Sequence, residues 1–184
     1  MPLDCRLVYS HFVWRLVIVL AFLTASCGWR PGSYPPPAQR SLDLGTDPGG
    51  VGPFVQMENP LADDYVVRDF MPDHGVLRWA FVHPELRFRV KDAGNLKFEM
   101  EFAIPEVTFR VTGPVTVSCA VNGKHLGSIR CNHAGDYRMV NPVPDGLVQP
   151  DQYIHVTFEA TPRWVSPEDG AQLSFLLRSA GFTQ

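Results

Sequence analysis

The chain has 184 residues, 45% of them hydrophobic, with 16 Lys and Arg against 19 Asp and Glu and a net charge of −3. That length suits one domain with appendages, and the slightly acidic balance excludes the basic stripe of a nucleic-acid binder. Seventeen Pro and fifteen Gly predict many turns and short strands rather than long helices.

Residues 1–26 read as a secretory signal peptide. Arg6 and Arg15 precede an apolar run of 11 residues, Leu16 to Ser26, shorter than the ~20 residues of an ordinary membrane span. An uncleaved anchor beginning near Phe12 is the competing reading. It would set Arg15 inside the bilayer at a cost of ~2.5 kcal/mol or more, so export is the expectation. The end of the run, Leu23-Thr24-Ala25-Ser26-Cys27-Gly28, resembles a bacterial lipoprotein lipobox, with Thr24 where that family usually has Leu. The resemblance implies that Cys27 is lipidated and holds the exported protein to a membrane, at the outer membrane or periplasmic face where the host has two membranes. A plain small-residue cleavage site beside Cys27 is the alternative.

Residues 27–60 follow as a Pro/Gly-rich tether. "GWRPGSYPPPAQRSLDLGTDPGGVGPF" has no sustained periodicity and too little apolar surface to offset its ordering entropy. Pro35-Pro36-Pro37 predicts local polyproline II. A Pro-rich docking motif is the other reading of that triplet.

Residues 61–184 read as one domain. Tyr65 to Arg68 is a short candidate strand and Pro72-Asp73-His74-Gly75 a turn. Leu77, Trp79 and Phe81 alternate with Arg78, Ala80 and Val82, which places Trp79 in the core. Leu86, Phe88 and Val90 alternate with Arg87, Arg89 and Lys91. That basic row is expected to pair with Lys97, Glu99 and Glu101 of a neighbouring strand, or else to meet an anionic glycan. Leu96, Phe98, Met100, Phe102 and Ile104 form the cleanest buried face. Val107, Phe109 and Val111 predict a continuation as strand beyond Pro105, which bends or interrupts the run. Val115 to Val121 alternates strictly, and Asn122-Gly123 predicts a two-residue hairpin. Tyr137 to Val140, then Ile154, Val156 and Phe158, then Leu173, Phe175 and Leu177 complete the strands. About eight strands joined by turns predict an all-β fold, an antiparallel β-sandwich. A closed barrel is the alternative.

The four cysteines, Cys5, Cys27, Cys119 and Cys131, lack the spacing of a zinc site. In a regular hairpin Cys119 faces position 126. Cys131 then falls on the opposite face, so the two do not pair unless a bulge near Gly127 resets the register.

"RDFMPDHGVLRWAFVHPELRFRV", "VTVSCAVNGKHLGSIRC" and the closing "IHVTFEATPRWVSPEDGAQLSFLLRSAGF" resemble a bacterial β-sandwich module of the galactose-binding-like, jelly-roll type, over roughly Tyr65 to Phe182. The resemblance implies ligand binding, commonly of sugars, at loop ends or on a concave sheet face. Trp164, beside Arg163, Glu168 and Asp169, offers an indole for stacking on a sugar, or a plug over the sandwich edge. His133 and Tyr137 offer further polar contacts. Asp63-Asp64 and Glu168-Asp169 have oxygen ligands for a calcium ion but no EF-hand spacing. No HExxH, GxSxG or comparable constellation appears. The expectation is a non-catalytic module without cofactor or metal, whose partner is a glycan or an envelope protein.

Overall fold

The computed structural model describes residues 50–72 and 75–184. The signal segment, Cys27, the tether up to residue 49, and Asp73 and His74 of the expected turn lie outside the described residues. The described chain forms eleven strands and two short helices: β1 (Phe54–Gln56), α1 (Ala62–Tyr65), β2 (Val66–Phe70), β3 (Arg78–Arg89), β4 (Lys97–Ile104), α2 (Glu106–Thr112), β5 (Val115–Val121), β6 (Lys124–Cys131), β7 (Gly135–Pro142), β8 (Tyr153–Thr161), β9 (Trp164–Val165), β10 (Gln172–Leu173) and β11 (Phe175–Thr183).

The strands of the main sheet pair antiparallel in the spatial order β6-β5-β8-β3-β11-β4-β7, with β1 on β11 and β2 on β3, and β9 and β10 form a separate antiparallel pair. The strand β3 links the two layers. Its start pairs with β11 (Phe175↔Ala80), and its end pairs with β8 (Arg89↔Tyr153). Buried Pro84 lies between the two stretches, where a residue without an N–H cannot serve a ladder. The layers meet through aromatics: Phe98 of β4 lies 6.1 Å from Phe158 of β8 and 6.3 Å from Phe88 of β3. The fold is an antiparallel β-sandwich.

The β4 and β5 faces fall as read. Phe98, Met100, Phe102 and Ile104 are buried, as are Val115, Val117, Cys119 and Val121. Asn122 and Gly123 take φ values of 47° and 79°, the left-handed pair that a tight hairpin requires. Residues 51–57, read from sequence as tether, contribute β1 and bury Val51, Val55 and Met57 in the same core.

Three expectations are corrected. First, Val107 to Val111 is helix, not strand. Pro105 caps it at φ −65°, Glu106 reaches Arg110 one turn on at 3.0 Å, and Gly113 ends it at φ 67°. Val107 and Val111 are left exposed. Second, the parity at the start of β3 is reversed: Arg78 and Ala80 point inward, while Leu77, Trp79 and Phe81 are only half-buried. Arg78 tolerates burial because Asp63 of α1 meets its Nη1 at 2.6 Å, a partner fifteen residues upstream that alternation cannot reveal. Third, the row Arg87, Arg89 does not lie against Glu99 and Glu101. It borders β8, and Glu99 and Glu101 bind Arg138 of β7 instead.

A bulge between Cys119 and Ala120 resets the β5–β6 register, so Cys119 faces Gly127 and Cys131 faces Val115. Both thiols are therefore buried and both are free. The four residue steps from Val115 to Cys119 span ~13 Å of strand, beyond the ~7 Å reach of a disulfide.

Candidate functional site

The six residues singled out from sequence occupy two places. Arg163 and Trp164 stand at the start of the small β9–β10 hairpin, with Glu168 and Asp169 in its loop. Trp164 is half-buried opposite Leu173. Arg163 Nη1 donates to the Val82 carbonyl at 3.3 Å, and Ser174 Oγ donates to the Phe81 carbonyl, so the hairpin is latched onto β3. The Ala171 amide donates to the Asp169 carboxylate at 3.1 Å. With the Ser166 hydroxyl as the larger cause, this lowers the Asp169 pKa below its ordinary value. Asp169 thus closes its own turn.

His133 lies in the β6–β7 turn and Tyr137 near the start of β7. The Tyr137 hydroxyl donates to the His133 carbonyl at 2.8 Å and accepts from the His133 amide at 3.1 Å. The His133 ring stacks on Tyr137 with centroids 5.1 Å apart, and Tyr137 stacks on core residue Phe102 at 5.7 Å. These three rings connect the core to an exposed surface.

Beside them lies a groove of about 370 Å³ lined by Glu101, Phe102, Asp136, Tyr137, Arg138 and Arg178. The β4–β7 register sets Glu101 opposite Arg138 and Phe102 opposite Tyr137. A bulge between Leu177 and Ser179 leaves Arg178 outside the β11 ladder. Arg138 lies 2.7 Å from Glu99 and 3.9 Å from Glu101, and Arg178 lies 3.5 Å from Asp136. The Glu99 hydrogen bond and charge push the Arg138 pKa up. Such exposed pairs add little stability, but they hold donors and acceptors in place next to an aromatic edge. Sequence reasoning found His133 and Tyr137 here and missed Arg138 and Arg178. The alternation of β4 signalled only that Glu101 faces outward.

On the other layer, a groove of about 290 Å³ is lined by residues that include Arg68, His83, Ser118, His125 and Glu159. At its edge Glu85 binds Arg68 and His155, each at 2.8 Å. Among the described residues no cluster of three or more His, Cys, Asp or Glu is arranged to hold a metal ion.

No protein-family model and no curated protein matches the sequence. Solved structures give distant likenesses only. A carbohydrate-binding module of the CBM36 type, in complex with calcium and xylotriose, is 12% identical with a TM-score of 0.37, covering 71% of this chain and 98% of that one. The C-terminal CBM6 of a laminarinase from Zobellia galactanivorans is 9% identical with a TM-score of 0.39, covering 71% and 98%. An acetyl xylan esterase from Butyrivibrio proteoclasticus is 10% identical with a TM-score of 0.43, covering 73% of this chain. This chain spans only 34% of the esterase and 29% of an exo-β-1,3-galactanase that it also resembles.

Proposed function

We propose that the domain is a non-catalytic glycan-binding module of the cell envelope, with its sugar site in the groove beside Tyr137. The observation that carries this reading is the row Phe102–Tyr137–His133 ending at fixed Arg–carboxylate pairs. An aromatic surface suits the C–H face of a sugar, and convergent charged groups suit its hydroxyls. The same proposal has the protein exported and held to the membrane by a lipid on Cys27, which rests on the N-terminal sequence pattern.

The test is a glycan-array and polysaccharide pull-down screen with wild-type protein, His133→Ala, Tyr137→Ala and Trp164→Ala. Binding lost in His133→Ala and Tyr137→Ala but kept in Trp164→Ala supports the groove. Loss only in Trp164→Ala moves the site to the β9–β10 hairpin. Radiolabelled fatty acid incorporated by wild type but not by Cys27→Ser tests the anchor.

A second reading is a module that docks onto an envelope protein complex. It is favoured by exposed Val107 and Val111 of α2 and Val165 of β9, two elements that touch and form an apolar surface. A negative screen with well-folded protein supports this reading.

A further inference from the structure

We infer that Met57 is a positioning residue for the Tyr137 groove: its backbone amide holds the β11 bulge that aims Arg178 at the ligand. The inference rests on the glycan-groove reading. It adds that the docking of β1, which lies upstream of every groove residue, sets the affinity of that groove.

The bulge between Leu177 and Ser179 takes Arg178 out of the ladder with β4, so that strand does not fix its backbone. On the opposite side of β11, β1 pairs Gln56 with Ser179 and Val55 with Ala180. One step further, the Met57 amide donates to the Arg178 carbonyl at 2.8 Å. A bulged residue left unpaired is free to turn, and this hydrogen bond removes that freedom. Met57 is itself fully buried, so the donor is anchored in the core.

Side-chain contacts do not replace that anchor. Among the described residues the Arg178 side chain pairs with Asp136 alone, at 3.5 Å, and the Asp136 side chain is 77% exposed. Such a pair constrains little. Arg138, in the same groove, is the contrast. Glu99 holds it at 2.7 Å, and its strand β7 pairs with β4 rather than β1. Releasing β1 therefore loosens Arg178 and leaves Arg138 in place. Linkage makes the effect reciprocal: a ligand that needs an aimed Arg178 also strengthens the docking of β1.

The experiment compares full-length Met57→Pro, which removes the amide, with Met57→Ala, which keeps it and truncates only the side chain. Proline suits a position after the extended Gln56, and melting temperatures confirm that each variant folds. The first readout needs no ligand: the Nε–Hε NMR signal of Arg178, with that of Arg138 as internal control. Met57→Pro should average the Arg178 signal toward that of a free arginine and leave Arg138 unchanged. Met57→Ala should leave both. Gly181→Ala, whose Cβ would sit 2.5 Å from the Phe54 Cα, should reproduce Met57→Pro by lifting β1 from β11.

The second readout is affinity on an array of neutral and acidic oligosaccharides. Met57→Pro and Arg178→Ala should each weaken the best-bound one about 10-fold. The double variant should be no weaker, because both changes act through one guanidinium. An Arg178 signal or an affinity indifferent to Met57→Pro overturns the inference while the groove reading stands. Losses that multiply to about 100-fold in the double variant do the same, since independent effects add in free energy. No binding by folded wild type, or binding that Tyr137→Ala leaves intact, strikes the groove reading and the role of Met57 with it.

Discussion

Asn122 and His155 are joined by two hydrogen bonds that tie the β5–β6 turn to β8. The Asn122 amide donates to the His155 carbonyl at 2.8 Å, and the His155 amide donates to Asn122 Oδ1 at 3.0 Å. Asn122 Nδ2 also donates to the Leu147 carbonyl at 3.0 Å. The residue is chosen both for its left-handed φ and for its side chain. Asn122→Gly keeps the first and loses the second, which should cost about 1 kcal/mol. Asn122→Ala loses both, and the left-handed penalty should raise the cost to about 2–3 kcal/mol. Urea unfolding of the pair measures the difference. Equal costs would show that the turn conformation contributes nothing.

Gly181 is pinned beneath β1. It pairs with Phe54, and a Cβ there would meet the Pro53 carbonyl and sit 2.5 Å from the Phe54 Cα. Backbone cannot yield as a side chain can, since the Phe182 amide also donates to Pro53 at 2.7 Å. Gly181→Ala should therefore cost about 1–3 kcal/mol by overpacking, or free β1 from the sheet. Faster hydrogen exchange at the Val55 amide distinguishes release of β1 from strain spread through the core.

Cys119 and Cys131 should be inert in the folded state. Burial pushes each thiol from 9.0 up to about 11, opposed for Cys119 by a weaker hydrogen bond with the Gly127 backbone. An aromatic disulfide reagent at pH 8 should label neither until the protein is unfolded. The linkage has a definite sign. Between pH 9 and 11 the folded state keeps protons that the unfolded state has lost, so stability is complete below pH 9 and declines as pH rises through that window. The slope is about 1.4 kcal/mol per pH unit for each thiol. Denaturation of the double Cys→Ala variant, compared with wild type from pH 8 to 11, checks that slope.

Strands whose two faces differ in polarity were legible from sequence. Leu96 to Ile104 and Val115 to Val121 show this, because alternation reports burial directly. It misled where a distant partner changed the meaning of a residue. Arg78 reads as outward until Asp63 is known to meet it. Val107, Phe109 and Val111 read as a strand, although Pro105, Glu106, Arg110 and Gly113 carry the local signals of a short helix. The Tyr137 groove was half legible for the same reason. His133 and Tyr137 stand out as polar and aromatic residues at and just after a turn, whereas Arg138 and Arg178 join them only through the β4–β7 register and the β11 bulge. Those depend on topology, which a local pattern does not encode.

The measurement that tests the proposed function most directly is an NMR titration of the full chain with the best-retained oligosaccharide from the screen. The account predicts that the amides of His133, Tyr137 and Arg138 shift most and saturate together, while those of Arg163 to Asp169 stay in place. Shifts confined to Arg163–Asp169, or no saturable shift with any sugar on folded protein, would contradict it.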